Sequence, residues 1–167
     1  LAMTTLGLWL SVRAERFIMT WAAGVVFVVA NIFVYDYYVR SPSVPLGMFV
    51  LPSLICGFAV IYAAALQYRD HPHPFRQPVS IAIVFSGLAL LSLSLGYDGA
   101  GFLAQNLGCA TLLLLTGYVY WRGRAEMPVY LTTLALLYAA CGLSFCICAV
   151  VLIADGQMVL GHAPRNW

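Results

Sequence analysis

The chain has 167 residues, of which 63% are hydrophobic and 8% charged. A soluble domain carries about 25% charged residues, so this chain cannot cover its surface against water, whereas it can face lipid. All eight basic residues are arginines and the net charge is +2, which excludes the basic footprint of a nucleic-acid-binding domain.

Apolar runs separated by short polar stretches predict an all-α integral membrane helical bundle, with five full transmembrane helices plus a truncated first helix. Residues 1–12 are apolar and meet the charged turn Arg13-Ala14-Glu15-Arg16. Twelve helical residues rise about 18 Å, short of a bilayer core of about 30 Å. The start, Leu1-Ala2-Met3, has no basic run before it and does not read as a signal peptide. The first full span covers 17–39, with Trp21 near one end, Tyr35, Tyr37 and Tyr38 at the other, and the polar Asn31 within it. Such aromatics match interfacial belts. The segment from Arg40 to Pro45 is a proline turn.

The next span covers 46–68, and its small residues Gly57, Ala59 and Ala63 permit close helix approach. A stiff loop with three prolines, Arg69 to Pro78, leads to a span over 79–97. Asp98-Gly99-Ala100-Gly101 is predicted as a short turn, followed by a span over 102–121. The polar segment Arg122 to Pro128 leads to the last span, 129–153, and the chain closes on a polar stretch ending at His162 to Trp167.

Six of the eight arginines (13, 16, 69, 76, 122 and 124) fall in alternate loops, and only Arg40 and Arg165 fall on the other side. The positive-inside bias places the six in the cytoplasm. Residues 162–167 are then expected on the outer face.

The ionisable side chains lie at or near helix ends, and His71, His73 and His162 lie in loops. Buried catalytic or haem-ligating groups would instead sit within the spans. Cys56, Cys109, Cys141, Cys146 and Cys148 fall in apolar runs without zinc or redox spacing. No catalytic residue, metal site or cofactor is expected in this segment. The polar side chains that remain within the spans are Asn31, Gln105, Asn106 and several serines and threonines, Ser86 among them. Hydroxyls can bond back to their own helix, but amides cannot satisfy themselves in lipid. Gln105 and Asn106 are therefore expected to point inward or to lie at the outer interface. They act either as helix–helix glue or, with Tyr35 and Tyr97, as a pocket for an unknown small ligand near the outer face.

Taken together, several segments resemble the multi-span membrane-sensor region of bacterial GGDEF-domain diguanylate cyclases. They are Arg13-Ala14-Glu15-Arg16 before a Trp-bearing helix, Gln67-Tyr68-Arg69 with Pro74-Phe75-Arg76, Gln105-Asn106, and Tyr120-Trp121-Arg122-Gly123-Arg124. The run from Leu137 to Phe145 and the stretch from Gly161 to Trp167 complete the likeness. The resemblance implies that residues 1–167 form a single transmembrane sensor-type domain with no soluble domain, in a bacterial inner membrane. It further implies a fused cytoplasmic domain that condenses two GTP into cyclic di-GMP and pairs as a homodimer. The GGDEF motif itself is absent from this sequence, so no catalytic residue carries over. The alternatives are a non-catalytic accessory subunit or membrane anchor of a larger complex, and a small transporter. Transporters usually carry charged midplane sites, which this sequence lacks.

Overall fold

The computed structural model describes residues 2–41 and 43–154, with side chains from residue 16 onward. All regular structure among them is α-helical: α1 (Ala2–Arg40), α2 (Val44–Tyr68), α3 (Arg76–Ser94), α4 (Asp98–Gly123) and α5 (Pro128–Ala154). Each contains a segment long and apolar enough to cross a membrane, the one in α1 running Arg16–Arg40. The polar stretch 162–167, with Arg165, lies outside the described residues.

The expected separation of a truncated first helix from the next span is corrected. Backbone helix runs without a break through positions 13–16. Arg, Ala and Glu are all good helix formers, and no Gly, Pro or capping residue stands there to end the helix. The charges mark where the apolar segment ends, and a helix can continue past that point. At 1.5 Å per residue, α1 is about 58 Å long, nearly twice the bilayer core.

Other boundaries shift for similar reasons. Pro45 lies in the first turn of α2 and Pro78 in the first turn of α3, where a missing N–H breaks no helical bond. Asp98 to Gly101, expected as a turn, forms the first turn of α4. Asp98 there faces the positive end of the helix dipole. The actual turn is Leu95-Gly96-Tyr97, and Gly96 adopts φ +82, a conformation that favours glycine.

α2 lies against α1, α3 and α4, and α4 lies against α2, α3 and α5. α2 and α4 therefore form the centre, with α3 in the groove on one side and α1 and α5 at the flanks. Among the described residues, no Cα of α1 comes within 8 Å of a Cα of α5. The core between α2, α3 and α4 is built from Ile55, Ala59, Tyr62, Ala82, Cys109 and Leu112.

Glycines set the closest approaches. A Cβ on Gly24 of α1 would lie 2.7 Å from Ile61 Cγ1 and 3.0 Å from Ile61 N of α2. A Cβ on Gly117 of α4 would lie 2.9 Å from the Ala135 carbonyl of α5. With lipid outside, apolar burial does not drive helices together, and such close backbone packing becomes a main source of association.

Candidate functional site

Among the described residues, three groups of polar and aromatic side chains stand out where helices meet. The first lies at the arginine-rich end, where α1 begins its span, α2 and α4 end, and α5 begins. Phe17 packs on Tyr68 with ring centroids 5.4 Å apart, Tyr68 on Tyr120 at 6.2 Å, and Tyr120 stacks on Tyr138 at 5.7 Å. Trp21 Nε1 donates a hydrogen bond to the Tyr138 hydroxyl at 3.0 Å. This bond joins α1 to α5, whose backbones stand apart. Arg69 of the α2–α3 loop pairs with Glu126 of the α4–α5 loop. Of these aromatics only Trp21 is expected from the sequence in an interfacial belt; Tyr120 is only 2% exposed. Their spacing from the arginine-rich loops was the available signal for a shared layer. Neighbouring loop residues are also engaged: the His71 ring accepts a hydrogen bond from the His73 N–H through Nδ1.

The second group joins α1 to α2 within the span. Asn31 Nδ2 donates to the Val50 carbonyl at 2.8 Å and to Ser53 Oγ at 2.6 Å. Ser53 Oγ in turn donates to the Val50 carbonyl at 2.9 Å. Asn31 and Ser53 are buried, and neither appears among the side chains with a buried unpartnered atom.

The third group lies where α2, α3 and α4 meet. Gln105 is 4% exposed, and its Oε1 is buried without a hydrogen-bond partner. Its direction follows from its neighbours on the helix. Gly101, one turn before, faces Leu51 of α2 and the Ala89 carbonyl of α3, and Cys109, one turn after, packs with Ile55, Ala59 and Ala82. Ser86 of α3 sits between Ala82 and Ala89 on the stripe that faces the same junction, and its buried Oγ is also unpartnered. The register places the two at one level, because Ala89 meets Gly101 and Phe85 meets Gly108.

The four residues expected to form an outer pocket do not converge. Gln105 points into the junction of α2, α3 and α4. Asn106 turns about 100° away around α4 and donates to the Phe102 carbonyl at 2.8 Å. Tyr35 meets the Phe102 ring edge-on at 6.3 Å, so Tyr35 and Asn106 share Phe102 as a neighbour. Tyr97 stands exposed in the α3–α4 turn. Ser86, by contrast, was only one of several span hydroxyls in the sequence. Nothing in the local pattern separates it from the serines that bond to their own helix, and its role depends on which residue faces it.

Comparison with known proteins gives no match: no family model, no curated protein and no solved structure matches the chain. What the helices define is a bundle with five segments able to cross a membrane.

Proposed function

We propose that the chain is a membrane signal-input domain that regulates a fused cytoplasmic diguanylate cyclase in a bacterial inner membrane. The identity of the output rests on the resemblance of the segments from Arg13 to Trp167 to the GGDEF-associated sensor region. The observation that carries the signal-input reading is the attachment of α1. It packs closely on α2 through Gly24 and Gly57, but it reaches α5 through side chains such as the Trp21–Tyr138 pair. A helix tied firmly on one side and lightly on the other can adopt two packings of similar energy. A stimulus that favours one packing shifts their populations. The arginine-rich ends of the helices face the cytoplasm in this reading, so the Trp21–Tyr138 clasp and the Arg69–Glu126 pair lie on the side where an output domain would be. Homodimerisation through that domain would convert a change in helix packing into alignment of two cyclase sites.

The test is replacement of residues 1–167 in the parent protein by an unrelated membrane anchor of matched topology. Cyclic di-GMP production should lose its response to conditions while remaining catalytically competent. Unchanged regulation would refute the signal-input role. A parent reading frame with no cyclase domain would refute the proposed output.

A further inference from the structure

We infer that Ser86 and Gln105 form a binding site for a single water molecule inside the bundle, held between α3 and α4 at the junction with α2. Two observations carry this independently of any sensor role. The first is the orphaned chemistry. Gln105 Oε1 and Ser86 Oγ are both buried and unpartnered, and native proteins rarely leave buried polar atoms in that state. Ser86 is also distinct in what its hydroxyl does. Ser80, Ser92, Ser94, Thr111, Thr116, Thr133 and Ser144 each donate to the carbonyl four residues earlier. Ser86 does not, and its proton is available to a guest.

The second observation is convergence. The stripe Ala82–Ser86–Ala89 of α3 and the stripe Gly101–Gln105–Cys109 of α4 face one another over Leu51 and Ile55 of α2. The residues flanking both polar groups are small, and a water molecule needs a polar place of its own size with two to four partners. The donor set fixes the class of guest. An amide oxygen accepts, a hydroxyl both donates and accepts, and neither is charged. The guest is therefore neutral and both donates and accepts. Water fits: it donates to Gln105 Oε1 and accepts from Ser86 Oγ–H. An ion would enter without a countercharge, which an apolar bundle strongly disfavours.

The experiment is a density map of the full chain in lipid or detergent, fine enough to show ordered water, for the natural sequence and for Gln105→Met and Ser86→Ala. The expected result is one peak within hydrogen-bond distance of both Gln105 Oε1 and Ser86 Oγ, lost in Gln105→Met. Infrared difference spectra in 18O-labelled water should show one isotope-shifted stretch that disappears in the same variant. If Gln105→Met does not fold, Ser86→Ala serves: its peak should weaken or move towards Gln105. A direct Ser86–Gln105 bond with no peak between them would overturn the inference. An isotope-sensitive stretch that persists unchanged in both variants would overturn it as well.

Discussion

Two places in this bundle hold the same ingredients and use them in opposite ways. Between α1 and α2, an amide and a serine hydroxyl meet a carbonyl, and Asn31, Ser53 and Val50 close a compact set of bonds. Between α3 and α4, an amide and a serine hydroxyl face one another across the junction with α2, and Gln105 Oε1 and Ser86 Oγ remain unpartnered by protein. The difference comes from length and register. Asn31 is one methylene shorter than Gln and sits opposite the first turns of α2, beside Pro52. Ser53 stands across from Asn31 on α2, and the Val50 carbonyl accepts from both side chains. Opposite Gln105, α3 presents Ser86 between Ala82 and Ala89, and no protein donor bonds the amide oxygen. A closed set of bonds fastens two helices, whereas an open one is available to a guest.

The first way to break the contrast is to separate the helices at the closed site. Gly24→Leu would drive a side chain into the backbone of Ile61, where a Cβ alone would approach its nitrogen to 3.0 Å. Backbone cannot move aside as a side chain can. A loss of about 3 kcal/mol is expected, the upper end for overpacking, read as an earlier unfolding midpoint when the detergent-solubilised chain is titrated with a denaturing detergent. A midpoint equal to that of the natural chain would show that α1 does not depend on close contact with α2.

Asn31→Leu comes next. It keeps the branched shape but removes both interhelical bonds, and Ser53 retains its own bond to Val50. Interhelical hydrogen bonds in membranes are worth about 0.6–2 kcal/mol, so a loss near the middle of that range is expected in the same titration. Trp21→Phe should cost less, about 0.6 kcal/mol, since it deletes one bond at an exposed edge and keeps an aromatic ring there. Its distinguishing readout is local. Cross-linking between cysteines placed on the facing sides of α1 and α5 should become less efficient, while cross-linking between α1 and α2 should not change.

These effects also mark how far the sequence was legible. The helical membrane bundle was readable from composition, because so few charges leave no other way to solvate the surface. Asn31 was readable as a polar group that must find a partner, and Gly57 as a contact residue that meets Val28. The continuity of α1 was not, because Arg13 to Arg16 signal the edge of an apolar segment and the start of a new element equally well. Nor was the start of α4 readable, since Asp98 to Gly101 has the composition of a turn, while an acidic residue also suits the first turn of a helix. Gln105 and Asn106 are adjacent in sequence, but one residue of helix is about 100° of rotation, and their side chains leave α4 in different directions. The contrast between Asn31 and Gln105 was beyond the sequence altogether, because it depends on what the opposing helix presents at one level.

The smallest effect is the most informative. Gln105→Met replaces the amide by an apolar side chain of nearly the same length. If Gln105 fastened α4 to its neighbours as Asn31 fastens α1 to α2, the substitution would cost a similar amount. Here the amide oxygen has no protein bond to lose. Removing it returns a bound water to the bulk, which recovers some immobilisation entropy, and it frees Ser86 to donate to the Ala82 carbonyl as the other span serines do to theirs. With the amide gone and Ser86 bonded to its own helix, no buried polar atom is left unsatisfied, and such a replacement is nearly neutral. A change within about 0.5 kcal/mol of zero is expected, well below that of Asn31→Leu. Equal losses for Asn31→Leu and Gln105→Met would show that both amides are fasteners and would erase the distinction between the two junctions. A neutral Gln105→Met beside a costly Asn31→Leu would mean that the α3–α4 amide contributes little to the stability of the fold, and its burial then has to be explained by what it binds.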